Sequence, residues 1–282
     1  MATPILDGPS ACVTLSNGVR MPWLGLGTWR SADGDEVEAA VRVALEAGYR
    51  HVDTAAVYRN ETGVGRAIRE SGVAREDVFV TTKLWNDAQR EGPDAVRRAF
   101  DESLARLGLD ELDLYLVHWP VEGCWRDAWR VLEDLYEEGR CRAIGVSNFL
   151  VHHLEALLED CRIVPMVNQV EFHPWLVQPE LLATCRARGI QHEAWSPLMQ
   201  GRFLELPELA EIGRAHGRTP AQVLLRWNLQ KGSVTIPKSV RPERIRENMG
   251  IFDFALAHEE VARIDALDRG ERIGPHPDEI EF

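Results

Sequence analysis

The sequence predicts an α/β protein: a (β/α)8 TIM barrel with an N-terminal β-hairpin that takes up residues 1-282 as a single domain. Short apolar runs alternate with longer amphipathic stretches along the chain, which is typical of βαβ units and a parallel sheet. The length of 282 residues also suits a barrel, because this fold needs roughly 250 residues. Polar residues come at or just after the ends of most runs, where barrel enzymes carry their active sites.

The hairpin is predicted from Asn17-Gly18, which stands between the runs 12–15 and 19–21 and suits the positive φ angles of a tight turn. The barrel strands are predicted at 50–53, 78–82, 112–117, 143–146, 166–170, 190–195, 234–236 and 250–254. Helices are predicted at 35–47, 94–107, 125–138 and 220–229. An open doubly wound sheet would show the same alternation and is the alternative fold.

Composition limits the classes of partner. The formal net charge is -13, which argues against nucleic acid and against anionic membrane surfaces, because both attract clusters of Lys and Arg. The five cysteines are an odd number and form no CxxC pair, so reduced thiols in a cytosol are expected. No run is long and apolar enough to span a bilayer, and the start MATPILDGPS lacks the features of a signal peptide. A cytoplasmic, monomeric protein is therefore predicted.

The strongest candidate catalytic set is Asp53, Tyr58, Lys83 and His118, in the segments HVDTAAVY, TTKLW and VHWP. Taken singly, each has an ordinary structural interpretation: a packing tyrosine, a structural histidine, a plain Lys–Asp ion pair. Together they suggest a mechanism. A tyrosine has a pKa of ~10, and a neighbouring ammonium lowers that pKa. A carboxylate paired with the ammonium would keep the ammonium charged and in position. A histidine could hydrogen-bond a carbonyl oxygen or help move the proton.

The order of these residues closely resembles the aldo-keto reductase superfamily, and most of all its prokaryotic branch that includes the 2,5-diketogluconate reductases. The resemblance runs nearly end to end, through GLGTW, NETGVG, IGVSNF, VNQVEFHP, AWSPL and IPKSVRPERIRENM. It implies that Tyr58 is the general acid in reducing an aldehyde or ketone, that Lys83 and Asp53 tune and hold it, and that His118 orients the carbonyl. Hydride would pass directly from the nicotinamide, with no metal.

The resemblance also implies NADP(H) as the cofactor, bound in the barrel mouth. The nearest approach to a dinucleotide-binding GxGxxG motif is Gly63-Val64-Gly65, which lacks the last glycine, is assigned to a loop–helix junction and counts against a Rossmann dehydrogenase. The implied cofactor-binding residues are Thr28, Ser147, Asn148, Gln169, Trp195, Ser196, Pro197, Leu198, Lys238, Ser239, Val240, Arg244, Glu247 and Asn248.

These residues have different implied roles. Ser147, Asn148 and Gln169 would hydrogen-bond the nicotinamide carboxamide, and Trp195 would stack on the ring, where many family members have tyrosine. The basic stretch around Lys238 and Arg244, with Ser239, would hold the 2′-phosphate, because guanidinium and ammonium groups suit phosphate. Glu247 and Asn248 match adenine-contacting positions.

On the substrate side, Trp29, Trp85 and Trp119 match positions that line the pocket with His118. Aromatic walls suit an apolar or sugar-like carbonyl compound. The short segment 120–125 and the short tail after Ile273 predict an open pocket with loose substrate preference.

Two other functions stay open. An NADPH-binding regulatory or accessory protein would keep the same four residues, and a Schiff-base aldolase could use Lys83 as its amine.

No metal is predicted. The His-Glu pairs at His192 and His258 lack a second histidine four positions after the first. His152 and His153 are adjacent, so they are predicted to point to different sides of a helix as surface or capping residues.

Overall fold

The computed structural model describes residues 8–202 and 206–282. Residues 1–7, which include most of the segment tested for a signal peptide, and residues 203–205 lie outside the described residues. Within the described ranges, no helix has the length and apolar character needed to cross a membrane.

The described chain forms an antiparallel hairpin followed by a sheet of eight parallel strands in chain order. The hairpin strands are β1 Cys12–Thr14 and β2 Arg20–Pro22. The parallel strands are β3 Leu26–Gly27, β4 His51–Asp53, β5 Phe79–Leu84, β6 Leu114–Val117, β7 Ile144–Ser147, β8 Val167–Glu171, β9 Gln191–Trp195 and β10 Val234–Thr235.

The sheet closes on itself. Leu24 bridges Thr235 and Gly27 bridges Lys238, both in parallel, and the Gly25 N–H donates to the Thr235 carbonyl at 2.9 Å. The fold is therefore the predicted (β/α)8 barrel, and the open doubly wound alternative is wrong.

The helices surround the barrel and pack their apolar faces on the outside of the strands. They are α1 Asp35–Glu46, α2 Glu61–Glu70, α3 Asn86–Glu91, α4 Pro93–Leu107, α5 Trp125–Glu137, α6 Val151–Leu158, α7 Pro179–Ala187, α8 Pro207–His216, α9 Pro220–Gln230, α10 Pro242–Asn248 and α11 His258–Asp265. The four helices predicted from the sequence agree with α1, α4, α5 and α9 to within one residue at each end.

One predicted strand is wrong. Residues 250–254 are not a strand; the Gly250 N–H donates to the Glu247 carbonyl, so the chain turns there after α10. The eighth strand is instead β3, whose two residues are too few to form an apolar run. Gly25, directly before β3, and Gly27 within it allow close packing: a Cβ on Gly25 would lie 2.6 Å from His51 Nδ1, and one on Gly27 would lie 2.8 Å from the Ile236 carbonyl oxygen.

Gly63 and Gly65 lie inside α2 and not at a loop–helix junction. A Cβ on Gly65 would overlap the carbonyl oxygen of Leu107, at the end of α4. The glycine is therefore explained by the close packing of α2 on α4.

We expect Gly65→Ala to destabilise the protein by about 1–3 kcal/mol, because α4 must move to admit the methyl group. In an open helix the same change would stabilise by roughly 0.5–1 kcal/mol. Urea unfolding measures the difference, with the exposed Glu70→Ala on the same helix as control, which should stay within about 0.5 kcal/mol of wild type. An unchanged or more stable Gly65→Ala variant would contradict the packing interpretation.

Candidate active site

A buried ion pair lies inside the C-terminal end of the barrel. The Lys83 ammonium, on β5, donates to Asp53 Oδ1 at 2.6 Å and to the Thr54 carbonyl at 2.8 Å. The side chains of Lys83 and Asp53 are 0% and 2% exposed. Gln169 Nε2, on β8, donates to the other Asp53 oxygen at 2.8 Å. Since β4 and β8 are not neighbours in the sheet, these side chains meet in the barrel interior.

Tyr58 follows β4 in a 3₁₀ turn, residues 56–58, and is only partly exposed. The Lys83 ammonium lies 5.1 Å from the centre of its ring. Burial raises the pKa of Tyr58, and the Lys83 charge opposes this without outweighing it. The ammonium thus lowers the pKa of Tyr58 as predicted, but the prediction that this pKa lies below its ordinary value is wrong. The phenol keeps its proton at neutral pH.

His118 comes directly after β6 and completes the cluster. Its ring is 5.9 Å from that of Tyr58 and 5.2 Å from that of Trp85, both edge-on. Burial, and then the Lys83 charge, hold the pKa of His118 well below its usual range. The imidazole is therefore neutral at pH 7 and suits a hydrogen-bond donor better than an acid.

The environment of Lys83 does not suit a Schiff-base aldolase. Burial lowers the pKa of Lys83, but the surrounding acidic groups, Asp53 first among them, together outweigh burial and the net direction is upward. An amine nucleophile needs a lowered pKa. Lys83 is instead held as a charged group.

The residues predicted to contact the nicotinamide carboxamide form one hydrogen-bonded shell. Ser147 Oγ donates to the Gln169 carbonyl at 2.8 Å, and Asn148 Nδ2 donates to the His118 carbonyl at 2.9 Å. Trp195 Nε1 donates to Asn148 Oδ1 at 2.8 Å. Hence the shell fixes the indole predicted to stack on the nicotinamide.

Two cations predicted to hold a phosphate lie at the rim. Lys238 follows β10 and Arg244 lies in α10; both are exposed, and neither makes an ion pair with another residue in the described ranges. Ser239 Oγ accepts from the Arg241 N–H at 3.1 Å. Two exposed cations, six residues apart in an acidic chain and without ion pairs among the described residues, are consistent with binding of an anionic group.

The other predicted cofactor residues lie around the same end of the barrel. Thr28 follows β3, where its hydroxyl donates to the Asp53 carbonyl at 2.9 Å. Glu247 accepts from the Thr219 hydroxyl at 2.6 Å, and Asn248 is buried. Ser196, Pro197 and Leu198 follow β9 directly, and Val240 lies two residues before α10.

Two of the three tryptophans predicted to line the substrate pocket, Trp85 and Trp119, lie beside His118. Trp119 stacks on His118 at 6.4 Å, whereas Trp29 is 42% exposed with the Arg30 guanidinium 4.1 Å from its ring. Phe282 stacks on Trp85 at 5.7 Å and meets Trp119 edge-on at 5.5 Å.

The tail therefore packs against two of the tryptophans predicted to line the pocket, and an open pocket with loose substrate preference stays a prediction. Asn86 Nδ2 donates to the Phe282 carbonyl oxygen at 3.0 Å, which holds the end of the tail in place. Sequence reasoning missed Phe282, because its position depends on the path of the tail and not on any local pattern.

His152 and His153 do not point to different sides of α6. Both Nε2 atoms lie near Asp278 Oδ1, at 3.0 and 3.1 Å, and one ion could touch all three side chains. However, His153 Nδ1 accepts the Leu150 N–H at the start of α6, as predicted for a capping residue. A neutral imidazole that accepts at Nδ1 carries its hydrogen on Nε2, so hydrogen bonding to Asp278 accounts for the cluster.

Fold and site together define a barrel protein whose C-terminal mouth holds a buried Lys–Asp pair beside a phenol and a neutral imidazole. Comparison with known proteins agrees. Residues 23–269 match the model of the Aldo/keto reductase family. The chain is 56% identical over 270 residues to glyoxal reductase of Bacillus subtilis (strain 168), covering 96% of this chain and 97% of that protein.

Solved structures agree as well. An aldo-keto reductase enzyme from a Medee basin deep-sea metagenome library has a TM-score of 0.93 and 45% identity, covering 96% of this chain and 100% of the other. A Bombyx mori aldo-keto reductase in complex with NADP has a TM-score of 0.89 and 38% identity, covering 95% and 96%. The chain belongs to the aldo/keto reductase family, which confirms the resemblance, and it is an oxidoreductase that acts on carbonyl groups.

We expect Lys83→Met to destabilise the protein by about 3 kcal/mol or more, because it leaves the Asp53 carboxylate buried without its cation. Adding Asp53→Asn should recover part of that loss. Urea unfolding at pH 7 measures both. The control is Lys231→Met, which removes the cation of a partly exposed pair with Asp265 and should cost about 1 kcal/mol or less. Equal losses of unfolding free energy in Lys83→Met and Lys231→Met would contradict the expectation that burial makes removal of the Lys83 cation more costly.

Proposed function

We propose that this chain reduces aldehydes and ketones with NADPH and that Tyr58 supplies the proton. The observation that carries the proposal is the position of Tyr58, which lies between a buried, charged Lys83 and a neutral His118 at the ends of three successive strands. The neutral phenol can donate a proton, and the adjacent ammonium can stabilise the phenolate that is left behind.

Each of the four residues has one role in this proposal. Tyr58 Oη gives its proton to the carbonyl oxygen. Lys83 stabilises the resulting phenolate, while Asp53 holds Lys83 in place through the 2.6 Å contact. His118 donates an N–H to the carbonyl oxygen, which orients the carbonyl and stabilises charge that develops on it. NADPH, when bound, supplies the hydride for the carbonyl carbon.

The residues at the mouth fit NADPH. Trp195 offers a flat ring fixed by Asn148, and an aromatic face suits stacking on a nicotinamide. Lys238 and Arg244, exposed and without ion pairs among the described residues, suit the charge of a 2′-phosphate. The relative from Bombyx mori was solved in complex with NADP, which supports the same choice.

The substrate we propose is a small aldehyde or dicarbonyl compound. Trp85, Trp119 and Phe282 form an aromatic wall beside His118 that leaves few polar anchors. Such a wall binds a compact molecule through contact area, while His118 and Tyr58 fix its carbonyl group. The relative named glyoxal reductase supports this class.

Tyr58→Phe should lower kcat/KM for aldehyde reduction by about 10²–10⁴-fold, because the proton donor is lost. NADPH affinity should be nearly unchanged. Tyr115→Phe is the matched control, since its buried hydroxyl has no hydrogen-bond partner in the described part of the chain. Undiminished turnover in Tyr58→Phe would overturn the proposed role.

A wild type that binds NADPH but turns over none of a panel of aldehydes and ketones would favour the accessory protein.

Arg244→Ala should weaken NADPH binding by about 10- to 100-fold, as expected for lost hydrogen bonds to a charged group, and should leave NADH binding nearly unchanged. Fluorescence titration with both cofactors measures this. Arg246→Ala removes the same charge from the same helix and controls for a general effect of net charge. Equal affinity of wild type for NADH and NADPH would refute the phosphate assignment.

A further inference from the structure

Glu193 lies within the same buried network as the ion pair, although the sequence analysis assigned it no role. It is on β9, opposite Gln169 in the register of β8 and β9, and its side chain is 0% exposed. Gln169 Nε2 donates to Glu193 Oε2 at 2.8 Å and to Asp53 Oδ2 at the same distance. One amide group therefore joins Glu193 to the carboxylate that holds Lys83.

The charges in this network do not balance if both acids are ionised. Lys83 is the cation, and it contacts Asp53 directly at 2.6 Å. Glu193 has no such contact, and its Oε1 has no hydrogen-bond partner among the described residues. A carboxylate oxygen buried without a donor is costly, whereas a neutral acid is much less so.

In the part of the chain that the structure describes, the groups that face Glu193 supply no second cation. On β4 they are Asp53 and His51, whose Nε2 lies 3.8 Å from Glu193 Oε1. Burial, with a smaller contribution from Lys83, lowers the pKa of His51 to about 3, so its imidazole is neutral. Lys83 lies on β5, Gln169 on β8 is an uncharged amide, and Val234 on β10 is apolar.

We propose that Glu193 is a protonated carboxylic acid at neutral pH and acts as a positioning residue for Lys83 and Tyr58, through Gln169 and Asp53. The effect of Glu193 on the reaction rate rests on the proposed function, whereas its protonation state does not. Burial, and then the Asp53 charge, raise the pKa of Glu193 to about 8. The network changes from neutral to negative as the pH rises through that value.

Ionisation of Glu193 makes Tyr58 a weaker proton donor. The Glu193 carboxylate adds to the causes that raise the pKa of Tyr58, and a more tightly held proton is transferred more slowly. Reduction should therefore be fast while Glu193 is protonated and slower once it ionises. Tyr58 itself stays protonated across this interval, because its own pKa is raised above 10.0.

The test compares wild type with Glu193→Gln, which keeps an acceptor for Gln169 Nε2 and imitates the protonated acid. In wild type, kcat/KM for aldehyde reduction should fall by about three- to tenfold as the pH rises from 6.5 to 9.5, as expected for a partial effect on the donor. In Glu193→Gln this fall should be absent. Glu133→Gln changes another fully buried glutamate, outside the barrel interior and paired with Arg130 and Arg162, and it should keep the fall seen in wild type.

A second measurement needs no turnover, and its titration in wild type needs no variant. Infrared difference spectra of wild type should show a buried carboxylic-acid C=O band that disappears near pH 8, and the same band should be missing from Glu193→Gln. If the band is present but no aldehyde is reduced, the proposed function fails and the protonation of Glu193 stands. If no such band titrates in wild type, or if the pH profiles of wild type and Glu193→Gln are parallel, the inference is overturned.

Discussion

The buried ion pair between Lys83 and Asp53 is the interaction on which the rest of the site depends. Removing both charges from water carries a large desolvation penalty, which their attraction offsets only with good geometry and further hydrogen bonds. Here those bonds come from the Thr54 carbonyl and from Gln169. Because of these hydrogen bonds, side chains from β4, β5 and β8 meet at one point in the barrel interior, beneath Tyr58.

Much of this arrangement could be predicted from the sequence, because the key residues stand at a strand end or in the segment that follows one. Asp53 is the last residue of β4, and His118 directly follows β6. In a parallel barrel all such positions share one face, so spacing along the chain translates into proximity. No comparable rule covers β3, whose two residues show no periodicity, or Phe282, whose contacts depend on the whole course of the tail.

Glu193 was within reach of sequence reasoning for a different reason. It lies inside the apolar run 190–195, two positions before Trp195, and side chains two apart on a strand point to the same face. A charged residue on the inner face of a predicted barrel strand demands a partner. What the sequence does not reveal is the identity of that partner, since the link through Gln169 to Asp53 spans strands that are not adjacent.

The tail and the proposed cofactor platform are physically coupled. The Ile273 N–H donates to Glu171 Oε1 at 2.6 Å, which fixes the tail to the end of β8. At Gly274 a Cβ would lie 2.5 Å from the Trp195 ring, so the tail passes directly against the indole. Trp195 is thus held by Asn148 on one side and by the tail on the other. Because the same tail ends at Phe282 beside Trp85, one segment shapes both halves of the mouth, and a change in its path would alter cofactor stacking and substrate contact together.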